Sequence, residues 1–169
     1  MEMTKFFLDQ LDREVAASRK VLAEVPEGKN SWKPHERSME MGYLASLVAQ
    51  MPGWIALMIA TEEFDVGDKA SSGQFQVKGP ESKAALFKLA EDSYAKARTA
   101  LSGTTEEHLN GTWSVKLHGK ALKSGPRHEQ IADAFTHLAH HRGQLTVYLR
   151  LNEAKVPAIY GPSADERMG

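Results

Sequence analysis

Cysteine is absent from the chain. That removes disulfides, thiolate metal ligands and a cysteine nucleophile together, so any metal would depend on imidazole, carboxylate, amide or water. No apolar run approaches the ~20 residues of a membrane-spanning helix. The opening stretch MEMTKFFLDQLDREV mixes charged with apolar side chains where a signal peptide would present a basic end and a continuous greasy run. A cytoplasmic protein with no membrane partner is the expectation. Neither sign of charge is in excess, with 21 basic side chains against 22 acidic ones, so no global field exists to recruit nucleic acid. Glycine-rich phosphate loops and nucleic-acid motifs are missing as well.

What is present is helical periodicity. The 169 residues suffice for one core and are short for two full domains, so residues 1–169 read as a single domain. Phe7, Leu11, Val15, Leu22 and Val25 recur at helical spacing, and Pro26 with Gly28 stops the pattern. A loop anchored by Trp32 follows. A second helix starts near Met39 with Met41, Leu44, Leu47, Val48 and Met51 on one stripe; Pro52 predicts a kink, with Trp54 to Glu63 continuing on a shifted axis. Asp65 to Pro80, rich in glycine, serine and aspartate, reads as a mobile connection.

A third helix is expected over about Glu81 to Leu101, with Gly103 where a left-handed residue would end it. TWSVKLHG alternates over Trp113, Val115 and Leu117, which suits a short hairpin or extended chain. A fourth helix runs from near Pro126 to about Asn152. The tail KVPAIYGPSADERMG holds too much proline and glycine for a helix and should pack back through Val156, Ile159 and Tyr160. The fold expected is all-α: a four-helix bundle with long crossover connections and a short extended segment before the last long helix.

Candidate chemistry concentrates in FTHLAHHRGQLTVYLRL, from Phe135 to Leu151. On a helix His137 and His141 lie one turn apart and differ by about 40° in direction, so their nitrogens can converge on one ion. His140 falls beside His141 and not under the pair. Chance also places histidines at this spacing, but the pair adjoins the apolar stripe of Ala134, Leu138, Leu145 and Tyr148, where a desolvated imidazole needs a partner. Gln144 adds an amide one turn on. Gly143 costs about 1 kcal/mol against alanine in mid-helix, a penalty explained if another backbone or a ligand approaches there. Arg142 and Arg150 suit structural ion pairs better than substrate binding. Ser163, Asp165 and Glu166 lack the nucleophile turn and oxyanion hole that acyl transfer requires.

The segment THLAHHRGQLTVYLRLNEAKVPAIYGPSADE, together with WKPHERSMEMGYLASLVAQMPGW, resembles the DinB-like family over most of the chain. The resemblance implies a four-helix bundle, a homodimer, and a divalent metal such as zinc or nickel held by three histidines. His137 and His141 would supply two; the third would come from helix two, four or five residues before the proline-glycine-tryptophan turn. Leu47 stands there. The metal site is therefore expected to be incomplete, with Gln50, Gln144, His35, His108, His118 and His128 as candidates to replace the missing ring. Two functions follow from the resemblance. One is a metal-dependent transferase using a low-molecular-weight thiol, with Gln144 and Tyr148 orienting the small-molecule substrate. The other is a non-catalytic small-molecule-binding or stress-associated bundle with a degenerate metal site.

Overall fold

The computed structural model describes residues 2–68 and 78–167. In chain order its elements are α1 (Met3–Ala23), α2 (Met41–Gln50), α3 (Pro52–Ala60), β1 (Glu63–Asp65), α4 (Lys83–Gly103), α5 (Glu106–Asn110), β2 (Thr112–Leu117), β3 (Lys120–Pro126) and α6 (Arg127–Leu151). Much of the expected connection from Asp65 to Pro80 lies outside the described residues.

The proline kink is present. Pro52 has no N–H to continue the ladder, α2 closes on the bond from Met51 N–H to the Leu47 carbonyl, and α3 departs at 48°. This bend divides the apolar interior. Leu44, Leu47, Val48 and Met51 pack with Leu138, Leu145 and Leu149 on one side, whereas Ile55 packs with Phe7, Leu11, Leu101, Ile131 and Phe135 on the other. Among the described residues no single helix is long and apolar enough to cross a membrane.

The all-α expectation is corrected: the fold is mostly helical and carries a small mixed sheet of order β1-β2-β3. Helix two was expected to reach Glu63, but α3 ends at Ala60. There Thr61 turns extended, its hydroxyl donating to the Leu57 carbonyl at 2.9 Å, and Glu63 to Asp65 pair in parallel with Ser114 to Lys116. The TWSVKLHG segment is the first strand of a hairpin, and β3 is its partner. His118 and Gly119, at φ of 49° and 79°, form the two-residue turn whose twist suits paired strands. The Asp65 carboxylate accepts from the backbone N–H groups of Gly67, His118 and Gly119 at 2.8, 2.9 and 2.5 Å, which ties β1 to that turn.

Two smaller expectations also change. Gly103 is not left-handed; α4 leaves through Thr104 in an extended conformation. No atom of another element among the described residues approaches a Cβ placed on Gly143, so the expected close contact is not found there.

Candidate functional site

The sheet and the bent helix pair face α6 across a cavity of about 760 Å³. On α6 the wall is formed by Gln130, Asp133, Ala134, His137 and His141, of which Gln130, Ala134, His137 and His141 follow one helical face at steps of four, three and four. Opposite stand Leu47 of α2 and Trp54, Leu57 and Met58 of α3, while Phe64, Trp113 and Val115 close the sheet side. The lining is largely apolar and aromatic.

His137 and His141 are brought together. Their Nε2 atoms lie 2.8 Å apart and their ring centroids 4.6 Å apart. His141 is buried, whereas His137 sits at the mouth with its ring 5.6 Å from that of Trp54. Gln144 reaches back along the helix, its Oε1 2.8 Å from His141 Nδ1. An amide oxygen only accepts, so His141 Nδ1 carries the hydrogen, and neutral His141 presents its lone pair at Nε2. That lone pair accepts from His137 Nε2–H. The chain Gln144–His141–His137 thus assigns both tautomers. Burial, followed by the neighbouring His141 and His140, pushes the pKa of His137 below the ordinary imidazole value.

Leu47 is buried in the wall that also carries both imidazoles, so the position proposed for a third ligand does belong to this cavity. A leucine has no donor atom. Among the described residues no group of three or more His, Asp or Glu side chains is placed to hold a metal ion. The two rings offer two nitrogens, one short of the three protein ligands of a catalytic zinc centre. The donor set therefore does not fit a resident three-ligand catalytic centre.

None of the proposed substitutes lines the cavity. The ring of His108 faces the Ile59 carbonyl at 2.8 Å, that of His128 the Leu109 carbonyl, and His118 forms the hairpin turn. His35 accepts from Arg37 N–H in the loop before α2, and Gln50 lies apart from the lining. Tyr148 is outside the lining too: its hydroxyl donates to the Met39 carbonyl at 3.1 Å and its ring meets Trp32 edge-on.

The arginines on α6 make ion pairs. Arg142 is buried, donating to the Glu14 carboxylate, the Glu14 carbonyl, the Ser18 hydroxyl and Tyr160 Oη. Arg150 grips Asp165. Ser163 and Glu166 also serve the tail, Ser163 Oγ donating to the Val156 carbonyl and Glu166 accepting from Ala158 N–H.

Sequence reasoning missed Arg127, Gln130 and the sheet wall. Arg127 is buried and donates to the carbonyls of Met58, His108 and Thr61, fastening the end of α3 to α5 beside the cavity. Gln130 could have been found, because it shares the helical face of Ala134 and His137.

The sequence profile of the DinB family matches residues 2–168. No curated protein matches the chain. A DinB-like protein from Bacillus subtilis superposes with a TM-score of 0.67 at 21% identity, over 95% of this chain and 99% of that one. One from Bacillus cereus gives 0.68 at 20% identity, over 91% and 95%. At such identities these structures speak for the fold alone.

Proposed function

The chain belongs to the DinB family, and from that premise we propose that it binds a largely apolar small molecule in the cavity between α6 and the bent α2–α3 pair, its metal centre being degenerate. The observation carrying this reading is Leu47: an apolar side chain occupies the wall beside two imidazoles that satisfy each other. Around them, Trp54, Phe64 and Trp113 offer a wide apolar surface, the composition of a small-molecule site of ordinary size. Divalent zinc or nickel would be held weakly by His137 and His141 alone.

Gln144 is assigned the task of fixing the His141 tautomer, so that a hydrogen-bonding ligand at the mouth meets a defined pair of imidazoles. Tyr148 supports the site from behind by holding Met39, a lining residue, in place. A thiol-transferring enzyme is the second reading. It is favoured by the lowered pKa of His137, which keeps that ring neutral and able to bind a metal, but it requires a third ligand. A cytoplasmic homodimer remains the assembly suggested by resemblance.

Calorimetric titration with the uncharged dye N-phenyl-1-naphthylamine tests the binding reading. Val115 is half-buried in the sheet wall, so Val115→Trp fills the cavity without disturbing the helical core. Saturable binding by the native protein, weakened at least about tenfold in a folded Val115→Trp variant, is the expected outcome. Equal binding by both proteins would place the dye elsewhere and remove the support for this cavity.

A further inference from the structure

Several polar groups in the cavity wall find their partners within the chain. Lys123 pairs with Asp133, and His141 is bonded at both ring nitrogens, to Gln144 and to His137. His137 is bonded at one only. Its Nε2–H is given to His141, which leaves the lone pair of Nδ1 as the other hydrogen-bonding position of the neutral ring. No N–H or O–H group among the described residues donates to that atom, and the backbone N–H groups around it are spent in the ladder of α6. The ring is exposed and lines the cavity, so a molecule lying there can touch it. Trp54 stands beside it, the ring centres 5.6 Å apart, and puts an aromatic surface next to the acceptor.

We propose that His137 is a specificity-determining residue whose Nδ1 accepts a hydrogen bond from the hydroxyl of an uncharged aromatic alcohol, a phenol or naphthol, seated in the cavity. The inference rests on the binding function proposed above and adds to it the chemical class of the ligand. The ligand carries a donor because the open position is a lone pair. The groups behind the ring set that polarity: Gln144 makes His141 Nε2 an acceptor, His141 in turn keeps the proton on His137 Nε2, and so Nδ1 can only accept. The molecule is uncharged because the two charges in the lining, Lys123 and Asp133, already neutralise each other. Its hydroxyl is borne on an aromatic ring because Trp54, Phe64 and Trp113 line the space. A phenolic O–H, which ionises near pH 10, is also a stronger donor to imidazole than an aliphatic alcohol.

The test uses two probes of nearly equal shape, 2-naphthol and 2-methoxynaphthalene, which share the ring system and the oxygen and differ in the O–H donor. Calorimetry at neutral pH should show the native protein binding the naphthol about tenfold more tightly than the ether, the factor of one desolvated hydrogen bond. Naphthol should also shift the nitrogen-15 resonance of His137 Nδ1 in the direction of a hydrogen-bonded acceptor, and the ether should leave it in place. In His137→Phe, which keeps a ring at an exposed position, the preference should vanish while ether binding persists. Equal binding of the two probes by the native protein would overturn the role of His137 and leave the cavity reading standing. Tighter binding of the ether would overturn it by showing that the site presents a donor. A preference retained in His137→Phe, or an unmoved Nδ1 resonance, would overturn it by placing the hydroxyl elsewhere. Binding of neither probe would overturn this proposal, and if the dye also failed to bind, the proposed function would fall with it.

Discussion

At the scale of single residues the site is a problem in proton placement. Gln144 Oε1 accepts from His141 Nδ1, so the sequence of donors runs outward from the amide to His137. In nitrogen-15 spectra of the imidazoles at alkaline pH, His141 should therefore be protonated at Nδ1 and His137 at Nε2. Gln144→Leu should let His141 exchange between tautomers; a native His141 protonated at Nε2 would contradict the assignment. The lowered pKa of His137 has a signed consequence. Because the folded protein protonates this ring less readily than the unfolded chain, its contribution to stability is complete above about pH 6.5. As pH falls through that value the unfolded state takes up the proton first, and stability declines until the folded pKa is reached. The melting temperature should drop less between pH 7 and 5 in His137→Gln than in the native protein, and identical slopes would remove His137 from the account.

Among the elements, the tail and α1 are joined to α6 through one buried cation. Arg142 and the Tyr160 hydroxyl share the Glu14 carboxylate, Tyr160 Oη lying 2.6 Å from Glu14 Oε2. Burial of that hydroxyl, and then its bond to Glu14, keep the phenol protonated, its pKa pushed up to about 12. Arg142→Ala would strand Glu14, and should cost about 3–5 kcal/mol in urea denaturation. Tyr160→Phe removes the hydroxyl's two hydrogen bonds, to Arg142 and Glu14, from a largely exposed ring and should cost about 1–2 kcal/mol. Equal effects would mean that the tail, and not the ion pair, dominates this junction. The same elements show what a sequence can disclose. The stop at Pro52 and the pairing of His137 with His141 follow from local rules, a missing N–H and a spacing of four. Strand β1 does not, because Glu63 to Asp65 become a strand only by pairing with Ser114 to Lys116, some fifty residues away.

Over the whole molecule, the bend and the sheet together make the cavity. A straight α2–α3 would continue past α6, whereas the 48° turn at Pro52 carries Trp54 and Leu57 to one side and lets β1 and β2 supply the other. Helical periodicity recovers Ala134, His137 and His141 of the α6 wall, but the sheet wall depends on contacts distant in sequence. This is why Phe64, Trp113 and Val115 were not legible as site residues while the histidine pair was. Leu47 links the two halves of the argument, since it is both core and the face turned toward the imidazoles. The most direct measurement is a zinc titration of untagged native protein and Leu47→His. The account predicts weak binding by the native chain and a gain of roughly a hundredfold or more when a third imidazole completes the set. Tight, one-to-one zinc binding by the native protein, unchanged by Leu47→His, would contradict it.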